Sequence, residues 1–324
     1  MSVVTPFYNT GEYLERCIET VLGQTFHDFE YILVDNQSTD DGGRIAANYA
    51  AKDDRIKLIT TPRFFSQVDN FNFALRQISP ASAFCKMVLA DDWLYPQCLA
   101  EMVALAEAHP NVGLVSSYSL AGTTMWGAGL PVERSVFSGR ETAREHLVNK
   151  TFLFGNHSTV MYRSDVVRGR DPFYTASAVF FDTDAALRIL ADNDFGFIHQ
   201  VLSYLRVHPG SITARTSGYS PIAADHMIAV RNHGATFMSP DEYRRRLRSA
   251  EGWFYEGLGR QRLAELFSKP DSEYWEYQRR YLTAAGQDLQ PRRVWVGAAR
   301  AVAIALGSPV DQLRQLKQRR RARR

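Results

Sequence analysis

The N-terminal part of the chain alternates short apolar runs with helical periodicity, and this alternation limits the folds open to it. Apolar runs at residues 3–6, 29–34, 56–59 and 84–90 predict strands. Between them, apolar side chains recur three or four residues apart at 14–22, and polar segments lead into predicted helices at 44–51 and 69–77. Strands that alternate with helices in this way predict an α/β fold with a doubly wound, mixed but mainly parallel sheet flanked by helices.

Polar side chains follow several of these strands. Residues Thr5 to Asn9 close the first strand, Asp35 ends the second, and Asp91 with Asp92 ends the fourth. Ligands bind at the carboxyl ends of the strands in open α/β sheets, so we expect one polar site built from these separate segments. Two adjacent carboxylates there can hold a divalent cation beside a phosphate, although an acidic turn explains Asp91 and Asp92 equally well on their own.

Two common phosphate-binding patterns are missing from the sequence. No G-x-G-x-x-G follows the first strand and no G-x-x-x-x-G-K-[ST] occurs, which disfavours a dinucleotide-binding or P-loop site. A bound phosphate would therefore need another counter-charge, which a metal ion on Asp91 and Asp92 would supply. Asn9, followed three residues later by Glu12, predicts a capping box at the first helix.

Composition and charge narrow the class of protein. Hydrophobic residues make up 45% of the 324, enough for a large packed core. The formal charge is +3, but seven of the 38 Lys and Arg residues lie in residues 314–324, so the rest of the chain is mildly acidic. We therefore expect no nucleic-acid partner. The three cysteines form no C-x-x-C pair and the N-terminus resembles a strand rather than a signal peptide, which predicts a cytoplasmic protein.

The later elements are predicted less sharply. Strands are expected at 112–118 and 158–162, a helix at 139–148, an irregular Gly-rich segment at 119–138, and two short apolar segments at 195–201 and 204–207. A helix is expected to begin at Asp182, and Ser239 followed by Pro240 marks another helix start, beyond which the chain is predicted to be helical.

Six short motifs, in this order along the chain, resemble those of glycosyltransferase family 2, whose members have the GT-A fold. They are VVTPFYN (3–9), QTFHDFE (24–30), VDNQSTDD (34–41), LADDWLYP (89–96), FDTDAALR (181–188) and YLRVHPGSIT (204–213). The resemblance implies a GT-A catalytic domain at 1–215, with a nucleotide-sugar half at 1–118 and an acceptor half at 119–215. A helical extension at 216–324 with a basic tail at 314–324 would follow.

The same resemblance implies a metal-dependent, inverting transfer of a sugar from a nucleotide sugar. UDP is the expected nucleotide, Mn²⁺ or Mg²⁺ the expected cofactor, and a hydroxyl of a saccharide or lipid-linked saccharide the acceptor, in surface polysaccharide or glycolipid assembly. Asp182 would be the general base, and Asp35 would accept the N3–H of a uracil ring. The implied metal ligands are Asp91, Asp92 and His208. The implied nucleotide-sugar contacts are Thr5, Pro6, Tyr8, Asn9, Asp35, Asp40, Arg63, Asp91 and Arg206.

Plainer interpretations stay open for several of these residues. Asp35 could cap a helix or a turn, and Asp40 and Asp182 could cap helices. Arg63 could be a solvated surface residue, His208 could be structural, and Asp184 is expected to be a surface acid.

Two departures from the family pattern keep other functions open. Leu89 stands where the family often has the first Asp of its D-x-D motif, and Phe181 stands where an acid often precedes the catalytic Asp. A non-catalytic nucleotide-binding or scaffold member of the fold is therefore one alternative. A sugar-nucleotide nucleotidyltransferase is another, although residues 5–11 lack the Gly-rich basic loop that such enzymes usually need.

The C-terminal residues allow a membrane contact. Residues 294–306 are apolar but shorter than the roughly 20 residues that a membrane-spanning helix needs. Together with the basic tail they could lie on the anionic inner face of the cytoplasmic membrane, or form a packed helix followed by a solvated tail.

Overall fold

A computed structural model describes residues 1–149, 151, 153–175, 180–219 and 221–307. The chain divides into two compact units. Unit 1 comprises Met1–Ala176 and Phe180–Arg215, and unit 2 comprises Ser177–Val179 and Thr216–Arg324. The predicted basic tail, residues 314–324, lies outside the described residues.

Unit 1 alternates strands and helices along its N-terminal part. The order there is β1 (Ser2–Phe7), α1 (Gly11–Leu22), β2 (Glu30–Asp35), α2 (Gly42–Ala50), β3 (Ile56–Thr60), α3 (Gln67–Leu75) and β4 (Phe84–Met87). The rest of the unit contains β5 (Trp93–Leu94), α4 (Cys98–Ala108), β6 (Val112–Ala121), β7 (Thr124–Trp126), β8 (Val136–Phe137), α5 (Gly139–Asn149), β9 (Met161–Arg163), α6 (Ser164–Arg168), α7 (Phe181–Leu190) and β10 (Asp194–Leu205).

These strands form one mixed sheet in the order β3-β2-β1-β4-β9-β6-β10-β5, with β7 paired to β6 and β8 to β10. The first four strands run parallel, as do β6 and β10, whereas β9, β5, β7 and β8 pair antiparallel. Phe7 lies beside Asp35 and Asp35 beside Thr60, so the carboxyl ends of β1 to β3 meet at one edge. The predicted α/β class is confirmed.

The core of unit 1 follows the predicted periodicity. Helix α1 buries Leu14, Cys17, Ile18 and Val21 against the sheet, which is the apolar face that the sequence pattern indicates. Burying one such side chain contributes about 1.5–3 kcal/mol.

Several boundaries differ from the prediction. Strand β4 ends at Met87, well before Asp91, because the amide of Leu89 binds Oγ of Ser158 at 3.0 Å instead of continuing the ladder. Residues 195–201 and 204–205 belong to one strand, β10, which has register shifts on both sides of Val201, and residues 206–207 follow it. The Gly-rich segment 119–138 contains β7 and β8, so it is less irregular than predicted.

The predicted capping box is wrong. Helix α1 begins after Thr10, whose side chain makes no capping hydrogen bond. The side chain of Asn9 instead accepts from the amide of Thr39 at 2.8 Å, so it connects the β1 loop to the loop after β2.

Unit 2 is helical in the residues described. After the short α8 (Ile212–Thr216), the chain forms α9 (Pro221–Phe237), α10 (Pro240–Ala264), α11 (Ser272–Ala284) and α12 (Pro291–Gly307). Ser239 caps α10 as predicted, since its side chain accepts from the amide of Glu242. Helices α10 and α12 touch through glycines: a Cβ added to Gly259 would lie 2.1 Å from the amide nitrogen of Ala298. Among the helices described, none is long and apolar enough to cross a membrane.

Candidate active site

The two carboxylates of the turn after β4 are held in different ways. Asp92 is 4% exposed. Its Oδ2 accepts from Oγ of Ser158 at 2.5 Å and its Oδ1 accepts from the backbone amide of Arg206 at 2.9 Å. Burial, together with the neighbouring charge of Asp91, raises the pKa of Asp92 to about 7, against the lowering effect of those hydrogen bonds. Asp91 is more exposed, and its Oδ2 lies 3.1 Å from Nε2 of His208.

Asp91 and His208 are the pair that could hold a divalent cation. A carboxylate oxygen and an imidazole nitrogen are both acceptable ligands for Mn²⁺. Asp92 is less available as a third ligand in this arrangement, because it is almost fully buried and each of its oxygens already accepts a hydrogen bond. No group of three or more His, Cys, Asp or Glu residues in the described part of the chain could hold an ion. A cation here would complete its shell with substrate phosphates and water, as Mg²⁺ commonly does.

Arg206 follows β10 and is fixed from several sides. Its Nε donates to the carbonyl oxygen of Asp91 at 3.0 Å. Its guanidinium carbon lies 4.6 Å from the ring centroid of Tyr13 and 5.1 Å from that of Trp93. The guanidinium of Arg206 is thus held beside the two carboxylates by two aromatic rings, since a planar guanidinium packs well against aromatic faces.

The loop after β2 is braced by its own polar side chains. Asp35 is 7% exposed, and its Oδ1 accepts from the amide of Ser38 at 2.8 Å. A Cβ at Gly43 would lie 2.9 Å from Oδ2 of Asp35, so helix α2 can approach this carboxylate only through a glycine. Asn36 bonds both backbone groups of Phe65, which ties the loop after β3 to the same edge.

The predicted contacts at the end of β1 separate into buried and exposed side chains. Thr5 is fully buried and its hydroxyl lies 3.0 Å from the hydroxyl of Tyr31, so a direct ligand contact through this side chain does not fit the structure. Pro6 is buried as well. Tyr8 is 43% exposed and packs edge-on against Phe64.

The structure gives Asp40 and Arg63 the plainer of the two interpretations considered. Both carboxylate oxygens of Asp40 accept backbone amides, from Gly11 at 2.7 Å and from Gly42 at 2.9 Å, so this residue caps α1 and α2 together. Arg63 is exposed, and its guanidinium lies over the ring of Phe65. Their predicted contacts with a nucleotide sugar stay predictions.

Asp182 lies in the first turn of α7 but is not the N-cap, which is Phe180. Its side chain is 13% exposed, and its Oδ2 lies 3.8 Å from Nδ1 of His157. Asp184, expected at the surface, is buried instead. It accepts hydrogen bonds from Thr175 at 2.9 Å and from Arg188 at 3.0 Å, and thereby links α7 to Thr175.

One turn joins the two groups of acids. His157 faces Asp182, and the next residue, Ser158, donates to Asp92. Gly155 makes this turn possible, since it has a φ of +77° and a Cβ there would lie 1.9 Å from Oγ1 of Thr159. The turn therefore brings Asp182 close to the Asp91–Asp92 turn, although the two are far apart in sequence.

Sequence reasoning missed Lys86, which contacts the turn at His157 and Ser158. The residue is fully buried in β4, and its Nζ donates to the carbonyl oxygen of Ser158 at 2.8 Å. Burial lowers the pKa of Lys86. A lysine inside an apolar strand pattern was the available signal, because a charged side chain is rarely buried there without a specific partner.

Comparison with known proteins agrees with the family that the motifs indicate. The model of Glycosyl transferase family 2 matches residues 2–169. EpsH of Bacillus subtilis is 23% identical over 268 residues, which are 76% of this chain and 72% of EpsH. The glycosyltransferase GlyG of Streptococcus pneumoniae is 46% identical over 59 residues, but this match spans only 18% of the chain and 20% of GlyG.

Solved structures support the same fold. TarS 1-349 of S. aureus in complex with UDP-GlcNAc superposes with a TM-score of 0.58 at 17% identity, over 88% of this chain and 79% of that one. The mannosyltransferase PcManGT of Pyrobaculum calidifontis, in complex with GDP-Man and Mn²⁺, gives 0.57 at 18% identity, over 96% and 82%. At such identities the likeness concerns the fold. With the family match over half of the chain, it leads to one conclusion: this protein is a member of glycosyltransferase family 2.

Proposed function

We propose that this protein is a metal-dependent, inverting glycosyltransferase that moves a sugar from a UDP-linked donor to a hydroxyl of a saccharide or lipid-linked saccharide. The observation that carries the proposal is the turn at His157 and Ser158. Ser158 bonds Asp92 at 2.5 Å while His157 faces Asp182 at 3.8 Å. A leaving-group site and a general base must lie close together for such a transfer, and this turn brings the two sets of residues together.

The donor would bind along the carboxyl edge of β1 and β2. Asp35 would accept from the base, and the exposed ring of Tyr8 would lie against it. Arg206 would face the diphosphate, since its Nε is already anchored on Asp91 and its plane is set by Tyr13. A bidentate guanidinium suits phosphate oxygens.

A divalent cation would be held by Asp91 and His208. When bound, it would neutralise charge on the departing nucleoside diphosphate. Asp92 would hold its neighbours in position. Its oxygens accept hydrogen bonds from Ser158 and from the amide of Arg206, which would fix the places of Asp91 and Arg206.

The chemistry is a single displacement at the anomeric carbon. Asp182 takes the proton of the acceptor hydroxyl while that oxygen bonds to the anomeric carbon. The bond from this carbon to the diphosphate oxygen breaks, the nucleoside diphosphate leaves, and the configuration inverts.

For the acceptor we propose a lipid-linked saccharide at the inner face of the cytoplasmic membrane. Helix α12 exposes Trp295, Val296, Val302 and Ile304, whose exposed fractions are 50%, 63%, 41% and 47%. Exposed apolar side chains on a helix that precedes a basic tail favour peripheral contact with an anionic membrane. Binding to vesicles containing anionic lipid, weakened when Trp295 is replaced by serine, would support this contact. Equal binding by the variant would count against it.

Thermal stabilisation by nucleotides tests the donor site directly. The purified protein is heated with UDP, GDP, dTDP or CMP, each with and without Mn²⁺, because a ligand of the native state must raise the melting temperature. We expect a metal-dependent shift with UDP. Asp91→Ala should abolish the metal-dependent part, while Asp54→Ala, which removes an exposed carboxylate, should leave it unchanged.

The outcomes separate the alternatives. A larger shift with GDP than with UDP would change the proposed donor, and slow release of nucleoside diphosphate from the matching sugar donor would establish turnover. Nucleotide binding without any such release would favour a non-catalytic member. No shift with any nucleotide, in folded protein, would refute the proposed function.

A further inference from the structure

His157 occupies an aromatic enclosure beside the proposed general base. The residue is 8% exposed. Its ring centroid lies 5.1 Å from that of Phe71, 5.1 Å from that of Tyr174 and 5.0 Å from that of Phe181. Such an enclosure leaves the imidazole little room to turn and little water to bond.

The polar atoms of this ring are not satisfied. Nε2 is buried and has no hydrogen-bond partner among the described residues. Nδ1 lies 3.8 Å from Oδ2 of Asp182, which is longer than a hydrogen bond. A buried polar atom without a partner costs about 1–3 kcal/mol, so this histidine is placed for something other than packing.

Its protonation state follows from burial. Desolvation lowers the pKa of His157, although the charge of Asp182 acts in the opposite direction. A neutral imidazole carries one N–H. The carboxylate of Asp182 lies on the Nδ1 side, and the unpartnered Nε2 would then keep only a lone pair.

We propose that His157 is the positioning residue for Asp182: its Nδ1–H donates to Oδ2 and orients the carboxylate toward the acceptor hydroxyl. Catalytic hydrogen bonds are often long without substrate and tighten in the complex, which accounts for the 3.8 Å separation. A carboxylate has lone pairs for about four partners, so this bond leaves room for the hydroxyl proton. The base role of Asp182 itself rests on the proposed function.

The surroundings hold the histidine in place. Asn72 and Tyr174 exchange two hydrogen bonds of 2.8 Å through the backbone of Tyr174, which fixes one wall of the enclosure. The phenols of Tyr162 and Tyr174 are the other titratable groups that sense Asp182. Burial raises the pKa of both far enough to keep them neutral.

The test compares two substitutions of His157. His157→Phe keeps an aromatic ring in the enclosure and removes both nitrogens, whereas His157→Asn places an amide N–H near the position of Nδ1. We expect His157→Phe to lower kcat about tenfold or more with little change in the donor KM. The acidic limb of the pH–kcat profile should move to higher pH, since a carboxylate without this donor is more basic. His157→Asn should restore much of both.

Two outcomes would overturn the proposal in an active enzyme. One is an unchanged kcat and pH profile in His157→Phe. The other is the same further loss from His157→Phe in an Asp182→Asn background as in the wild type, because coupled residues are not additive. Melting temperatures of all variants report any general loss of folding.

A second readout does not need transfer activity and so separates this proposal from the proposed function. Protein with ¹⁵N-labelled histidine rings is examined by long-range ¹H–¹⁵N correlation, and the His157 signals are assigned by their absence in His157→Phe. We expect a neutral ring protonated at Nδ1, with a signal that changes in Asp182→Asn. Protonation at Nε2, or a mixture of tautomers indifferent to Asp182→Asn, would refute the positioning role whether or not the protein transfers sugar.

Discussion

Replacing Ser158 by alanine should weaken unit 1 more than the loss of any ordinary hydroxyl. Oγ of Ser158 donates to the buried carboxylate of Asp92 at 2.5 Å and accepts from the amide of Leu89 at 3.0 Å. A hydrogen bond to a charged group contributes about 1.5–3 kcal/mol and a neutral one about 1 kcal/mol. We therefore expect the free energy of unfolding to fall by about 2.5–4 kcal/mol.

The loss should depend on pH in a defined direction. The pKa of Asp92 is about 7, and the bond from Ser158 favours the charged form. Without that bond the pKa of Asp92 rises further, so the folded variant keeps this carboxyl protonated to higher pH than wild type does. In the unfolded chain the same carboxyl loses its proton already at acidic pH. The stability of the variant relative to wild type should thus be lower at pH 8 than at pH 6.

Ser203→Ala is the matched control. Ser203 is fully buried in the same sheet, but its hydroxyl has no hydrogen-bond partner among the described residues. Its removal should be nearly neutral or slightly stabilising. Both variants are unfolded in urea at the two pH values with EDTA present and followed by tryptophan fluorescence. If Ser158→Ala loses no more stability than Ser203→Ala, the assignment of Ser158 as the anchor of Asp92 is incorrect.

Three further predictions test the helices and one buried histidine. In α10, Gly259→Ala should destabilise unit 2 by about 1–3 kcal/mol in urea unfolding, because the new Cβ would meet the backbone of Ala298. Gly257→Ala is the control: a Cβ there has no atom within 4 Å, so this variant should be more stable than wild type by up to about 1 kcal/mol. Asp40→Ala should lower the free energy of unfolding by about 1–2 kcal/mol, because two helix starts lose their cap. The rise in melting temperature caused by UDP should stay the same; its loss would support a nucleotide contact for Asp40. Burial lowers the pKa of His146 from 6.5 to about 4. As the pH falls from 6.5 toward 4, the imidazole is therefore protonated in the unfolded chain before it is protonated in the folded protein. Wild type should lose stability relative to His146→Asn over this range. A pH-independent difference between these two proteins would contradict that pKa shift.

Local patterns were sufficient for most of the helices and strands in the N-terminal part. The apolar runs and helical periodicities predicted the first helices and strands because each depends on residues near in sequence. The residues at the strand ends indicated a shared edge, and the register of Phe7, Asp35 and Thr60 places the ends of β1 to β3 there.

Side-chain roles were harder to predict where partners lie far apart in the chain. Asp40 accepts the amides at two helix starts, which is the capping role that the sequence left open, whereas Thr5 faces Tyr31 inside the core. Asp184 was expected at the surface because the sequence does not reveal that Thr175 and Arg188 enclose it.

The sequence by itself determined the family, the α/β class and which acids are available for chemistry, because these follow from short ordered motifs. Only the tertiary structure decided how the acids divide their roles: Asp91 pairs with His208, Asp92 is buried against Ser158, and Asp182 faces His157. The physical reason is that burial and hydrogen bonding set the charge and orientation of a carboxylate, and both depend on segments that meet only when the sheet has formed.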